Sequence, residues 1–172
     1  MNDTHAAGPD AEHLLQALAA PKLHPAEIEA LSRRYDDSTR AQAIAQVAAM
    51  FDPPPAPGLL ARLVFLRSPA NEPLLAQLFI ANLRAAQADA RLASLRGLEA
   101  LQHPSLTQFA LLSMRDESDP VVAAACQILA PQADPRVRQF LRQAWLARKG
   151  RPEFYLSNSV LEAAGIGATP PR

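Results

Sequence analysis

The chain has 172 residues, 49% of them apolar and mostly Ala and Leu, with few aromatics and six glycines. That composition favours helix over sheet, and the length suits one domain with a continuous core. Lys plus Arg and Asp plus Glu balance at 17 each, so no global field recruits nucleic acid or a membrane surface.

The segment 1–9 is polar, lacks the basic-then-apolar pattern of a signal peptide, and is expected to be a disordered tail. No apolar run reaches membrane-spanning length, and the single cysteine, Cys126, cannot form a disulfide within the chain. The expected location is cytoplasmic. A first helix over 10–20 carries Leu14, Leu15 and Leu18 on one face, and suits a terminal capping element with one wet side. After a turn from Pro21 to Pro25, a short helix runs to Tyr35 with Ile28, Leu31 and Tyr35 facing inward. Asp36-Asp37-Ser38-Thr39 caps the next helix, 39–51, and Thr39 with Gln42 has capping-box spacing. Residues 52–57, Asp-Pro-Pro-Pro-Ala-Pro, cannot be helical. They read as a stiff connector, the other reading being a Pro-rich docking segment.

Helices are predicted over 58–67, 72–86 and 89–101. In the third, Leu92, Leu95, Leu98 and Leu101 recur every third residue and spread over half the circumference, as suits a helix sandwiched between neighbours. Gly97 there costs about 1 kcal/mol relative to Ala and so marks a close helix approach. Three X-Pro steps follow, His103-Pro104, Asp119-Pro120 and Asp134-Pro135, at spacings of 16 and 15 residues. Proline suits a first helical turn and the preceding residue avoids helix, so each Asp-Pro reads as an N-cap and a helix start. The helices so predicted are 104–115, 119–130 and 134–149. Val122, Ala125, Cys126 and Leu129 line one stripe, and Val137, Phe140, Leu141, Ala144 and Trp145 the next. Gly150-Arg151-Pro152 ends the last of these. Phe154, Tyr155 and Leu156 then form an aromatic patch read as an end cap. Ser159 with Glu162 opens a final short helix to Gly165, and 166–172 is a tail.

Asp116-Glu-Ser-Asp119-Pro120-Val-Val122, with Cys126 and Leu129 beyond, resembles the second-helix signature of HEAT and HEAT-like (PBS-lyase-type) repeats. Asp134-Pro135-Arg136-Val137-Arg138 resembles the same signature, and Arg91–Leu98 the interior of such a helix. One departure is Ala123, which stands where the repeat usually carries the Arg that links to an Asp of the next repeat. The resemblance covers about 74–149 and implies an all-α fold. Its expected form is a right-handed α-solenoid of about ten short antiparallel helices, spanning 10–165 as one domain.

Sites of chemistry are sparse. The histidines, His5, His13, His24 and His103, share no metal-ligand spacing, and His24 and His103 precede proline as turn or cap residues. The His-Glu dipeptide of HEAT-like hydroxylases is absent, as are phosphate loops and nucleophile elbows. Cys126 lies on an apolar face and reads as a buried small hydrophobe, while of Asp116, Glu117 and Asp119 two read as residues that cap or line a repeat turn, the other reading of the cluster being a cation or acid/base site. No catalytic residue, metal or cofactor is expected.

The leading expectation is a non-enzymatic scaffold or adaptor that binds another protein on a concave helical surface. Taking 39–51, 89–101 and 119–130 as inner helices makes Gln42, Gln46, Arg91, Arg96, Glu99 and Gln127 the candidate contacts. The groove is short and suits a small partner or self-association into a homo-oligomer. The alternative is nucleic-acid binding. From Asp134 to Arg151 six cations face one acid, and Arg138, Arg142, Arg148, Lys149 and Arg151 offer a face for an anionic partner. Its plainer reading is a solvated helix face. A HEAT-like lyase or DNA glycosylase is the remaining enzymatic alternative. Arg outnumbers Lys 15 to 2, which fits a GC-rich bacterial coding bias or selection for bidentate contacts.

Overall fold

A computed structural model describes residues 9–50, 54–131, 134–148 and 150–151. Among them are nine α-helices, one 3-10 turn over Val64–Leu66, and no strand. The helices are α1 (Pro9–Ala19), α2 (Pro25–Ser32), α3 (Asp37–Ala48), α4 (Pro57–Leu63), α5 (Glu72–Asn82), α6 (Ala88–Ala100), α7 (Leu106–Ser113), α8 (Asp119–Leu129) and α9 (Pro135–Arg148). The all-α expectation holds, and no helix of the described residues is long and apolar enough to cross a membrane. Pro9, expected in the N-terminal tail, is the first residue of α1; residues 1–8, 51, 52–53 of the Pro-rich connector, the aromatic patch 154–156, the short helix after Ser159 and the C-terminal tail lie outside the described residues.

Two cores meet at α6. The first draws on α1 to α6, with Leu14, Leu18, Ile44, Leu60, Leu75 and Phe79 fully buried. The second joins α6 to α9 through Leu95, Met114, Cys126, Leu129, Leu141 and Trp145. Leu98 and Leu101 face the first core and Leu95 the second, so the every-third-residue leucines place α6 between them. Its main neighbours are α4, α5 and α8. Gly97 is the condition of the α5 contact. A Cβ there would sit 2.6 Å from the ring of the fully buried Phe79, closer than packed carbon atoms approach.

Helices α4, α6 and α8 form one contiguous row, while α5–α6 and α7–α8 pack as sequential pairs. Helix α3 packs chiefly on α1 and α5, which separates it from the α6–α8 surface with which it was grouped above. Helices α8 and α9 fill differently. All but one residue from Val121 to Leu129 are buried on α8, whereas α9 buries Leu141 and Trp145. Phe140, expected on the α9 stripe, is 38% exposed.

The helix starts refine the predicted caps. The α3 cap is Asp36, whose carboxylate accepts the Thr39 N–H at 2.7 Å, rather than Thr39 with Gln42. That bond holds the Asp36 carboxyl below its usual value. His24 caps α2 through Nδ1, accepting from the Ala26 N–H, while Glu27 accepts the His24 N–H to complete a capping box. His103 Nδ1 accepts the Ser105 N–H before α7. Asp134 follows the expected cap pattern, accepting the Arg136 N–H at 2.7 Å. Asp119 does not. It is the first residue of α8, behind Ser118, and its carboxylate is turned to α9.

Candidate functional site

The polar groups that matter lie at the junctions between helix pairs. Arg91 shares a face of α6 with Leu95 and Leu98, at i+4 and i+7, so its guanidinium is carried inward. A largely sheltered arginine needs full pairing, and Arg91 has it. Its Nε and Nη2 donate to the two oxygens of Asp116 at 2.7 and 2.8 Å, and Nη1 donates to the carbonyls of Ala85 and Ala86, both at 2.9 Å. Both side chains of the pair are 11% exposed. Asp116 Oδ1 also accepts the Ser118 N–H, so one carboxylate shapes the α7–α8 turn and anchors it to α6. The fork from Arg91 holds Asp116 below the usual carboxylate range against the opposing effect of burial, and the same bond raises Arg91.

Three residues on, Asp119 faces the other way. It accepts from Arg148 Nε at 3.1 Å and from Arg151 Nη1 at 2.7 Å, and this pairing, with Arg151 first and Arg148 second, holds its carboxyl below the usual carboxylate value. The link that Ala123 does not supply comes from elsewhere, from Arg91 one helix pair earlier and from the end of α9. Arginine is used alike at other junctions. Arg62 Nη1 donates to the carbonyls of Leu18 and Ala20 after α1, and Arg67 Nη1 to that of Ala100 at the end of α6. These carbonyls are the unpaired acceptors that every helix leaves at its C-terminus. Part of the arginine bias is therefore spent on intramolecular bonds that lysine's point charge satisfies less well.

The six candidate contacts divide. Arg96, Glu99 and Gln127 come together across α6 and α8: Arg96 Nη1 donates to Glu99 at 2.8 Å and Nη2 to the Gln127 side-chain oxygen. The Arg96 and Glu99 side chains are 41% and 40% exposed, so this strip is open to solvent. Arg91 lies on the same helix but is consumed by the junction. Gln42 and Gln46 belong to α3, beside α1 and α5. On the basic face, Arg148 and Arg151 are committed to Asp119, Arg138 is exposed, Arg142 is half-buried, and the Lys149 side chain lies outside the described residues.

Cys126 is fully buried, with Sγ 3.6 Å from the Met114 sulfur, and burial pushes its thiol up to about 12. A thiol so placed stays protonated at neutral pH. No group of three His, Cys, Asp or Glu able to hold a metal occurs among the described residues. A feature the sequence reading missed is a series of apolar grooves beside α5 and α7. The largest, 740 Å³, is lined by Ile80, Leu83, Phe109 and Leu112, with Arg84 and Arg115 among its polar residues. The signal was present in α7, where Leu112 falls beside an otherwise apolar run yet is 67% exposed. Comparison with family models, with curated proteins and with solved structures returns no match.

Proposed function

We propose that this chain is a non-enzymatic interaction module, a short right-handed α-solenoid of HEAT-like helix pairs that holds another protein against the α6–α8 surface. The observation that carries this reading is the open strip of Arg96, Glu99 and Gln127 on two helices whose pairs are pinned together by Arg91 and Asp116. A cation, an anion and an amide held at fixed spacing on rigid helices recognise a complementary set on a partner while losing little side-chain entropy on binding. Recurring helix pairs and an inter-pair arginine–aspartate tie also accord with the HEAT resemblance of 74–149.

The test exchanges the charges. Arg96→Glu with Glu99→Arg keeps the pair on the helix surface but inverts the pattern a partner meets. The double variant should lose its partner in affinity capture from the source cells, read by mass spectrometry against the wild-type chain, with an unchanged helical circular dichroism spectrum. The same proteins captured at the same yield would reject this surface.

A further inference from the structure

Three grooves form one trough. The 740 Å³ groove between α5 and α7 shares Ala81 and Arg84 with a 400 Å³ groove that also takes in Val47, Met50 and Pro54. On its other side it shares Leu112 and Arg115 with a 500 Å³ groove that reaches Phe140 of α9. The trough therefore crosses α3, α5, α7 and α9, one helix after another, and touches the start of α6 at Ala90. Four large apolar side chains are exposed among the described residues, Met50, Leu112, Phe140 and Leu146, and three of them line it. Isolated exposed leucines are ordinary, but a contiguous line of them with a polar rim marks a binding surface.

We propose that this trough docks an acidic amphipathic α-helix of a partner protein. Charge selects the sign. Arg84 and Arg115 are exposed at the shared boundaries of the three grooves, and neither has an ion-pair partner among the described residues. Asp116, which also lines the largest groove, and its neighbour Glu117 are both drawn to Arg91. Backbone chemistry selects the helix. The trough is lined by α3, α5 and α7 and by the turns that follow them, with no strand edge to offer a row of free N–H and C=O groups among the described residues, so the occupant must satisfy its own backbone bonds. Four helices at about 9 Å spacing accommodate a helix of about 18 residues. This deepens the interaction reading above by naming a partner class, and places it on a different surface.

The test uses the full chain and two labelled synthetic 18-residue helices. They share one Leu/Phe stripe at i, i+3, i+4 and i+7, flanked by Glu in one and by Lys in the other. Fluorescence anisotropy at low salt should show the Glu helix binding about tenfold more tightly than the Lys helix, as expected when two rim charges change from attraction to repulsion. Arg84→Glu with Arg115→Glu should invert that preference. Leu112→Gln should weaken both peptides about tenfold with an unchanged thermal melt, because the side chain is already 67% exposed. Equal binding of the two helices, no binding of either, or indifference to Arg84, Arg115 and Leu112 would overturn the proposal. So would tenfold tighter peptide binding on changing Glu153 and Glu162 to Lys, which would show that the chain's own C-terminal segment fills the trough. Loss of both peptides with capture still dependent on Arg96 and Glu99 would remove the trough and leave the interaction module standing.

Discussion

Asp116 and Asp119 stand three residues apart in one short motif, yet they serve opposite sides of α8. The first reaches back to Arg91 on α6 through a two-pronged bond, with both partners 11% exposed. The second reaches forward to Arg148 and Arg151, which are 23% and 55% exposed. The backward junction is sheltered and carries four hydrogen bonds on one guanidinium, while the forward junction is wet and shared between two arginines. Identical residue types thus differ in worth. Water screens and replaces an exposed pair, but removing one partner of a sheltered pair strands the other.

The largest expected effect follows from that asymmetry. Arg91→Met should cost about 3 kcal/mol in chemical denaturation, since it strands Asp116 and uncovers the Ala85 and Ala86 carbonyls. Arg148→Met, at the forward junction, should cost under about 1 kcal/mol because Arg151 still pairs with Asp119. Equal losses would erase the distinction between the junctions.

Acid should separate them less sharply. Both carboxylates are more acidic in the folded chain than in the unfolded one, so their contribution is complete above the usual carboxylate value near ~3.9. It is lost as pH falls through the lower folded values, because the unfolded chain then binds more protons. Stability measured between pH 5 and pH 2 should fall more steeply in the wild type than in Arg91→Met. Parallel curves would show that the junction does not set the Asp116 acidity.

The smallest effect lies inside α6. The Ser94 hydroxyl is fully buried and has no hydrogen-bond partner among the described residues. Ser94→Ala removes that stranded group and should raise stability by about 1 kcal/mol, read as a higher denaturation midpoint. A loss would mean that the hydroxyl is satisfied in solution.

Much of the helical frame was legible in the sequence, and the reason is local. The leucines of α6 report its position between two cores, and Gly97 reports the approach of α5. Proline and aspartate steps set the helix starts to within a few residues. What was not legible depends on distant residues. Arg91 and Asp116 are 25 positions apart, and the one local clue was an arginine sharing a face with Leu95 and Leu98. Asp119 looked like a cap because its role is fixed by arginines 29 and 32 positions away. Phe140 and Leu112 fit an apolar stripe, but periodicity does not say whether a neighbour covers the stripe. The packing of α3 on α1 and α5 was not legible for the same reason, since row membership is a tertiary property.

The most direct test of this architecture is amide hydrogen exchange along the full chain. Helices α6 and α8, packed on several sides and tied through Arg91 and Asp116, should exchange slowest, and α9, which packs chiefly on α8, should open before α8. Protection of α9 equal to that of α8, or rapid exchange throughout α6, would contradict the account.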